Sequence, residues 1–492
     1  MDIDFNAIRN SKDPSKKASP SKTKTKAKIN LDILNPDQRA AFGKLVEYIR
    51  TGDDHIHVLK GWAGTGKTFC VSLLVNYLLK ELYSNKRHFR IAVTGPTNKS
   101  VRVLKKSSGL NHNRVEFKTI HKLLGLKERI TDDGQQIFVN DNWKNDSDLD
   151  KISVLIIDEV SMLNDELFEK IIQYRRNLKI ICMGDPAQIP PVGRPDCIPF
   201  REELLDEYRI KTIQLKTIMR QKEGNPIIDA SVKIRENLGF KSPIVPPVTK
   251  LNEDGQGIEF LNLNDESVRR GFSSILEKYF KSRIFEVDSE YVKIISWRNS
   301  TVTTMNEVVR KVIYGDKSKE FRILPGEKLI VNKPILEGEV IRFNTNDELT
   351  VDNYTIMSET HKDGLGSSVL KYYATNVKWV DENGEVCRDK IAILHEESKS
   401  EFARIALGFK NRALDMGGKN KSWVDYYNFL RKYADVSFAY SITAHKAQGS
   451  TYDTVFLMED DIDVNWKTVE KNRIKYTAYT RASRKIYIAR AF

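Results

Sequence analysis

The sequence predicts an α/β fold built on two doubly wound parallel sheets, and three observations predict it. Short apolar, β-rich runs alternate with helical patterns along most of the 492 residues. The runs fall into two sets that part near residue 220. A glycine-rich phosphate signature follows directly on the first run of the first set. Alternation of this kind buries both faces of a sheet under helices.

In chain order, residues 9–28 (RNSKDPSKKASPSKTKTKAK) hold almost nothing apolar and cannot bury enough surface to order themselves. Residues 1–30 are therefore expected to form a solvated basic leader or a tether adding phosphate contacts. Phe42, Leu45, Val46 and Ile49 recur at helical spacing, which predicts a helix over 36–49 with Pro36 in its first turn. Strands are expected at 56–59, 91–93, 154–157 and 180–183, then at 291–295, 455–457 and 486–488. Residues 127–143 read as a hairpin turning at Asp132-Asp133-Gly134. Residues 325–393 are strand-rich, with turns at Asp363-Gly364 and Glu382-Asn383-Gly384. Residues 395–433 are helical, with a break at Gly417-Gly418.

Composition narrows the class. No apolar run approaches the roughly 20 residues needed to cross a bilayer, and the N-terminus has no secretory apolar core. Cys70, Cys182, Cys197 and Cys387 lack paired spacing, which argues for a reducing compartment and against a disulfide framework or a zinc ribbon. The 80 basic and 67 acidic side chains leave a net charge of +13, compatible with a polyanionic partner but no proof of one.

Gly61-Trp62-Ala63-Gly64-Thr65-Gly66-Lys67-Thr68 satisfies G-x-x-x-x-G-K-[ST] between a predicted strand and a helix. Backbone N–H groups there can wrap phosphates, Lys67 can reach the β- and γ-phosphates of ATP, and the Thr68 hydroxyl can ligate Mg²⁺. Val154 to Ile157 then run into Asp158-Glu159 at the carboxyl edge of the sheet. Asp158 is the expected second Mg²⁺ ligand, and Glu159 the group that orients and deprotonates the attacking water.

Set out in order, further segments resemble the superfamily 1B helicases, the 5′→3′ group of Dda-type and RecD-type enzymes, from about Asn35 to Phe492. Asn35-Pro36-Asp37-Gln38 resembles the adenine-reading motif, with Gln38 on the base. Gly95-Pro96-Thr97-Asn98-Lys99 and Thr119-Ile120-His121 resemble the two strand-contacting motifs. Gly184-Asp185-Pro186-Ala187-Gln188-Ile189-Pro190-Pro191 resembles the third, with Gln188 sensing the γ-phosphate. Residues 215–221 (LKTIMRQ) resemble the fourth, with Arg220. Residues 441–450 (SITAHKAQGS) resemble the fifth, and residues 476–482 (YTAYTRA) the sixth, with Arg481 as arginine finger.

The resemblance implies two RecA-like domains of the P-loop NTPase type. The first would span 31–220 with an inserted pin at about 112–150, and the second 221–310 plus 434–492. An SH3-like barrel and a helical tower would occupy 311–433. Lys67, Glu159, Gln188, Arg220 and Arg481 would be catalytic. Gln38, Gly61, Ala63, Gly64, Thr65, Gly66, Lys67, Thr68 and Gly449 would hold ATP, and Thr68 and Asp158 the Mg²⁺. Pro96, Thr97, Asn98, Lys99, Thr119, His121, Thr443, His445 and Lys446 would touch the nucleic acid.

It further implies a monomer acting on single-stranded DNA and on junctions of single- and double-stranded DNA. Single-strand binding or replisome proteins would be its partners. The setting would be phage replication, recombination or repair in the host cytoplasm, with no membrane association. An RNA helicase of the same superfamily and a nucleotide-switched clamp are the alternatives, because no motif here reads the ribose 2′-OH. Trp143, Trp297, Trp379, Trp423 and Trp466 are candidate base-stacking platforms that sequence alone does not rank. Two departures stand out: Trp62 sits where relatives carry something smaller, and Ser296-Trp297-Arg298-Asn299 replaces a Phe-Thr-Asn type segment.

Overall fold

Each apolar run becomes a strand because its side chains are buried on both faces, which only an inner position between two helical layers provides. In the computed structural model, residues 30–491 are described apart from 132–135, 141–147, 175–177, 192, 220–224, 242–243, 338–339, 364–365, 382–384 and 416–419. The leader, Arg220, Trp143 and the turns expected at 132–134, 364, 382–384 and 417–418 thus lie outside the described residues.

The first sheet comprises β1 (Ile56–Gly61), β2 (Ile91–Gly95) and β3 (Val115–Thr119). A hairpin of β4 (Leu126–Ile130) and β5 (Gln136–Asn140) follows, then β6 (Val154–Ile157), β7 (Lys179–Gly184) and β8 (Ile210–Leu215) complete the sheet. Its order is β3-β2-β6-β7-β1-β8, and each pairing is parallel. The expected strands are the four inner ones. Both edge strands escaped the sequence reading because an edge is wet on one side: VEFKT and IKTIQL carry charged and polar residues that blur an apolar run.

The opening helix runs Pro36–Arg50, started by a reciprocal Asn35–Gln38 capping box with Pro36 in its first turn. Ala41, Phe42, Leu45, Tyr48 and Ile49 are its buried face.

The chain then enters a second sheet through β9 (Lys250–Leu251), β10 (Gly257–Asn262) and β11 (Val292–Ser296). It leaves for an inserted region of β12 (Lys328–Val331), β13 (Ile335–Glu337), β14 (Val340–Phe343), β15 (Glu348–Asp363), β16 (Gly366–Val380), β17 (Val386–Leu394) and β18 (Val436–Phe438). It returns with β19 (Ser441–Thr443), β20 (Tyr452–Met458) and β21 (Ala482–Arg490), giving the order β19-β11-β20-β21-β10-β9.

The inserted strands pair antiparallel as β17-β16-β15-β12-β18. The Ala434 N–H donates to the Ala392 carbonyl at 2.7 Å, tying the last strand's approach back to β17 and curling the sheet on itself. Helices Lys399–Asp415 and Asn420–Leu430 stand on it, packed through Phe402, Phe409, Phe429 and Tyr433. The second of these helices also lies against β4.

Buried ion pairs tie the insertion to the second sheet. Lys293 on β11 is fully buried and reaches Glu348 of β15 at 3.2 Å and the Ala439 carbonyl at 2.7 Å. Arg310 pairs with the buried Glu327 just before β12. Removing either partner would strand a buried charge, which typically costs about 3–5 kcal/mol.

Cys70, Cys182 and Cys197 are buried and all four cysteines are free thiols. Burial pushes the Cys70 thiol up to about 12. No helix among the described residues is long and apolar enough to cross a membrane.

On β1, at the sheet edge away from the phosphate loop, His57 is 7% exposed and stacks on Tyr48 at 4.0 Å. Burial pushes its imidazole down to about 4, against an opposing pull from Asp53. The folded state therefore holds His57 neutral while the unfolded chain protonates near 6.5. Stability is complete above pH 6.5 and should fall by about 1.4 kcal/mol per pH unit toward pH 4 from this group. Urea midpoints at pH 7 and pH 5 check this; His57→Gln should flatten the difference, and an unchanged slope rejects the assignment.

Candidate nucleotide and nucleic-acid site

The phosphate loop leaves β1 at Gly61 and enters helix Lys67–Tyr77 at Gly66. Gly64 and Gly66 hold φ of 83° and 78°, left-handed values that favour glycine. A Cβ on Gly61 would sit 2.6 Å from Thr65 Oγ1, and one on Gly66 2.5 Å from Gln38 Nε2. The Lys67 ammonium donates to the Gly61 carbonyl at 2.6 Å and to that of Trp62 at 3.2 Å, so it folds back over the loop. Thr68 is in the first turn of the same helix. This donor set fits a polyphosphate: a glycine-shaped cradle at a helix N-terminus with one lysine inside it.

Gln38 is 1% exposed and both ends of its amide are occupied. Nε2 donates to the Thr65 carbonyl at 3.0 Å and Oε1 accepts from the Asn35 N–H at 3.3 Å. In this conformation it braces the phosphate loop. Asp37 alongside accepts from the Lys216 and Thr217 N–H groups and the Thr217 hydroxyl, each at 3.0 Å. The Met219 N–H donates to the Gly64 carbonyl at 2.7 Å, bringing the fourth motif onto the loop, although Arg220 itself is outside the described residues.

Asp158 and Glu159 follow β6. The Asp158 N–H donates to the Thr94 carbonyl, and its Oδ1 accepts the Glu159 N–H at 2.9 Å. Glu159 has a φ of 51°, which a side-chain-bearing residue adopts only under local strain. Strain of this kind gathers at functional sites.

The second lobe meets this loop directly. Asp185, fully buried, accepts the Ala63 N–H at 2.9 Å and the Tyr476 hydroxyl at 2.6 Å on one oxygen, and the Ala187 N–H on the other. Burial and the adjoining Asp185 carboxylate push the Tyr476 phenol well above its ordinary range, so it stays a donor. The Gln448 amide donates to the Ile189 carbonyl at 2.8 Å, and the Ile189 N–H donates to Thr477 Oγ1 at 3.2 Å. Arg235 lies over the Trp62 ring at 3.8 Å, so the unusual bulk at that loop position is capped by a second-lobe guanidinium.

Arg481 is 5% exposed and donates to the carbonyls of Thr477 and Ser450 and to Thr480 Oγ1. Next to Ser450, Gly449 has a φ of 70°, and a Cβ there would lie 3.8 Å from Glu159 Cγ. The loop that accepts from Arg481 at Ser450 thus approaches Glu159 at Gly449. Gln188 is 4% exposed, and its Oε1 has no hydrogen-bond partner among the described residues. Asp185 and Tyr476, the centre of the seam, lie in motifs visible in the sequence. Nothing in their spacing distinguished them from their neighbours.

Comparison with known proteins agrees with this arrangement. Residues 33–240 match the family model described as AAA domain, and residues 438–489 match the UvrD-like helicase C-terminal domain. The chain is 27% identical to uncharacterized protein R530 of Acanthamoeba polyphaga mimivirus, over 92% of this chain and 99% of that one. It is 25% identical to the ATP-dependent DNA helicase dda of Enterobacteria phage T4, over 87% of this chain and 93% of that one. The RecBCD enzyme subunit RecD of Buchnera aphidicola is also 25% identical, over 90% of this chain and 71% of that one. These matches make the chain similar to the superfamily 1B helicases.

The chain carries a second constellation, at the carboxyl ends of strands in both sheets. Thr97 caps helix Asn98–Ser108 in a capping box with Ser100, after β2 and Pro96. Thr119 caps helix Ile120–Leu123 after β3, and Thr443 caps helix Ala444–Ala447 after β19. Each hydroxyl accepts an N–H of its own helix, so the three threonines first set helix N-termini. The side chains of Asn98 and Lys99 are outside the described residues.

Burial pulls both His121 and His445 below the ordinary imidazole range, which keeps them uncharged near neutrality. Lys446 donates to Asn332 Oδ1 at 2.7 Å. The replaced segment Trp297-Arg298-Asn299 is pinned by Asp461, which accepts the N–H groups of Trp297 and Arg298 and the Thr301 hydroxyl. Asp461 gave no sequence signal, since it lies in a plain acidic run.

Proposed function

We propose that this chain is a superfamily 1B helicase that uses ATP hydrolysis to move 5′→3′ along single-stranded DNA and to open duplex ahead of it. The observation that carries the reading is the seam at Asp185, where the phosphate loop of one sheet and Tyr476 of the other bond to one carboxylate. A change in the loop is then felt at once by the second lobe.

The roles follow from chemistry. The N–H groups of the loop and Lys67 would cradle the phosphates, Lys67 giving up its carbonyl partners to do so. Thr68 and Asp158 would hold Mg²⁺, and Glu159 would orient and deprotonate the water. Arg481 and Arg220 would neutralise charge developing on the γ-phosphate, with Gln188 reporting its presence toward the strand. Bound ATP·Mg²⁺ supplies the phosphoanhydride whose cleavage drives the cycle. Thr97, Thr119, His121, Thr443, His445 and Lys446, from both sheets, would grip the backbone without regard to sequence. Since the strand spans both lobes, closure at the seam shifts one grip relative to the other, and closure must depend on nucleotide for work to result.

Relatives named for phage and RecBCD enzymes support a setting in DNA replication, recombination or repair. Matched duplexes with 5′ or 3′ single-stranded tails test the reading. We expect ATP-dependent opening of the 5′-tailed duplex; preferential opening of the 3′-tailed one rejects the polarity, and stimulation by RNA alone rejects the substrate.

A further inference from the structure

Trp466 is 83% exposed. The other tryptophans among the described residues are accounted for. Trp423 is buried, Trp379 packs edge-on against Phe343 at 4.8 Å, Trp297 packs on the second core, and Trp62 is capped by Arg235. Aromatic side chains ordinarily bury about 150–250 Å² each. An indole left in water on a well-fixed segment needs a reason.

The segment is well fixed. β20 ends at Met458 and helix Glu459–Asp463 follows, held by Asp461 on the Trp297 loop and by Glu459 paired with Arg490 and Lys475. Asn465, 3% exposed, donates its N–H to the Ile462 carbonyl at 3.0 Å and accepts the Lys467 N–H on Oδ1 at 2.9 Å. Trp466 therefore projects from between two anchored residues.

Its place in the sheet indicates what it meets. β19, β11 and β20 are adjacent and parallel, with Ser296 opposite Thr443 and Ile295 opposite Leu457, so their carboxyl ends form one edge. Helix Thr468–Tyr479, which starts two residues after Trp466, packs on helix Ala444–Ala447, and its Glu470 carboxylate acts on His445. Trp466 thus shares the edge that carries Thr443, His445 and Lys446.

The surroundings suit a base face rather than a phosphate. Lys467 lies 5.7 Å from the ring but pairs with Glu470 at 3.5 Å, and Lys471 faces Asp463 at 3.9 Å, so the local charges offset one another. Val464 and Val469, two residues before and three after it in sequence, are 57% and 48% exposed and add apolar surface to the same segment. We propose that Trp466 is a base-stacking platform of the second lobe, receiving a nucleobase of the single strand that Thr443 and Lys446 grip. The inference rests on the nucleic-acid reading above and adds a contact that its motifs do not contain.

Binding of a short fluorescein-labelled oligo(dT) to the full chain, followed by anisotropy, tests it. Trp466→Ala should weaken binding about 5- to 150-fold, the span of one base–aromatic stack. Trp466→Phe should stay near wild type, ATPase without DNA should be unchanged, and the loss should vanish on an abasic strand of equal length. Equal binding by Trp466→Ala and wild type overturns the proposal, as does equal weakening by Ala and Phe or a loss that persists on the abasic strand. If the wild-type chain itself neither binds oligo(dT) nor shows DNA-stimulated ATPase, the parent reading fails and this one with it.

Discussion

Replacing Arg481 by alanine should lower the DNA-stimulated ATPase rate by about 10³- to 10⁵-fold, the range seen when an arginine finger is withdrawn from a nucleotidase. The side chain is buried against the Thr477 and Ser450 carbonyls, in the loop whose Gly449 approaches Glu159. Those bonds hold the guanidinium ready, and they also mean that truncation leaves carbonyls unmet. The measurement therefore pairs kcat with the thermal midpoint and with binding of a non-hydrolysable ATP analogue. Binding should survive while kcat collapses. A folded variant that loses less than tenfold in kcat removes Arg481 from the chemistry.

Glu159→Gln is expected to cost about 10²- to 10⁴-fold in hydrolysis, the usual worth of a general base, with nucleotide still bound. The substitution keeps size and hydrogen bonding and removes only the proton acceptor. It also leaves the φ of 51° and the bond from its N–H to Asp158 in place. Single-turnover hydrolysis at saturating ATP isolates the step. Wild-type rates in that assay would place the base elsewhere.

Much of this was legible in the sequence because phosphate chemistry demands particular residues at particular spacing. Gly61 to Thr68 could be read without coordinates, as could the strand ending in Asp158-Glu159. The inner strands were legible for a related reason, since burial on both faces leaves only apolar residues. The edge strands were not, because half their surface is wet and their composition resembles a loop.

The seam was hidden for another reason. Asp185 and Tyr476 are 291 residues apart, and only the folded topology makes them partners. Gln38 shows the converse limit: a motif pointed to a base contact, while its amide is engaged with Thr65 and Asn35 in this conformation. Trp466 was visible as one of several tryptophans, and its exposure, which no sequence pattern encodes, singles it out.

The buried pairs Lys293–Glu348 and Arg310–Glu327 have a mechanical consequence. They make the long β15–β16 ladder and its helices an outrigger of the second lobe, unable to lag behind it. Strand β15 has 16 residues, so at about 3.3 Å per residue the ladder is roughly 50 Å long. Each degree of lobe rotation about one end of such an arm sweeps the other through about 0.9 Å. If nucleotide drives a pivot of the second lobe, as proposed above, such an arm would gear it up into a stroke comparable with the rise between stacked bases.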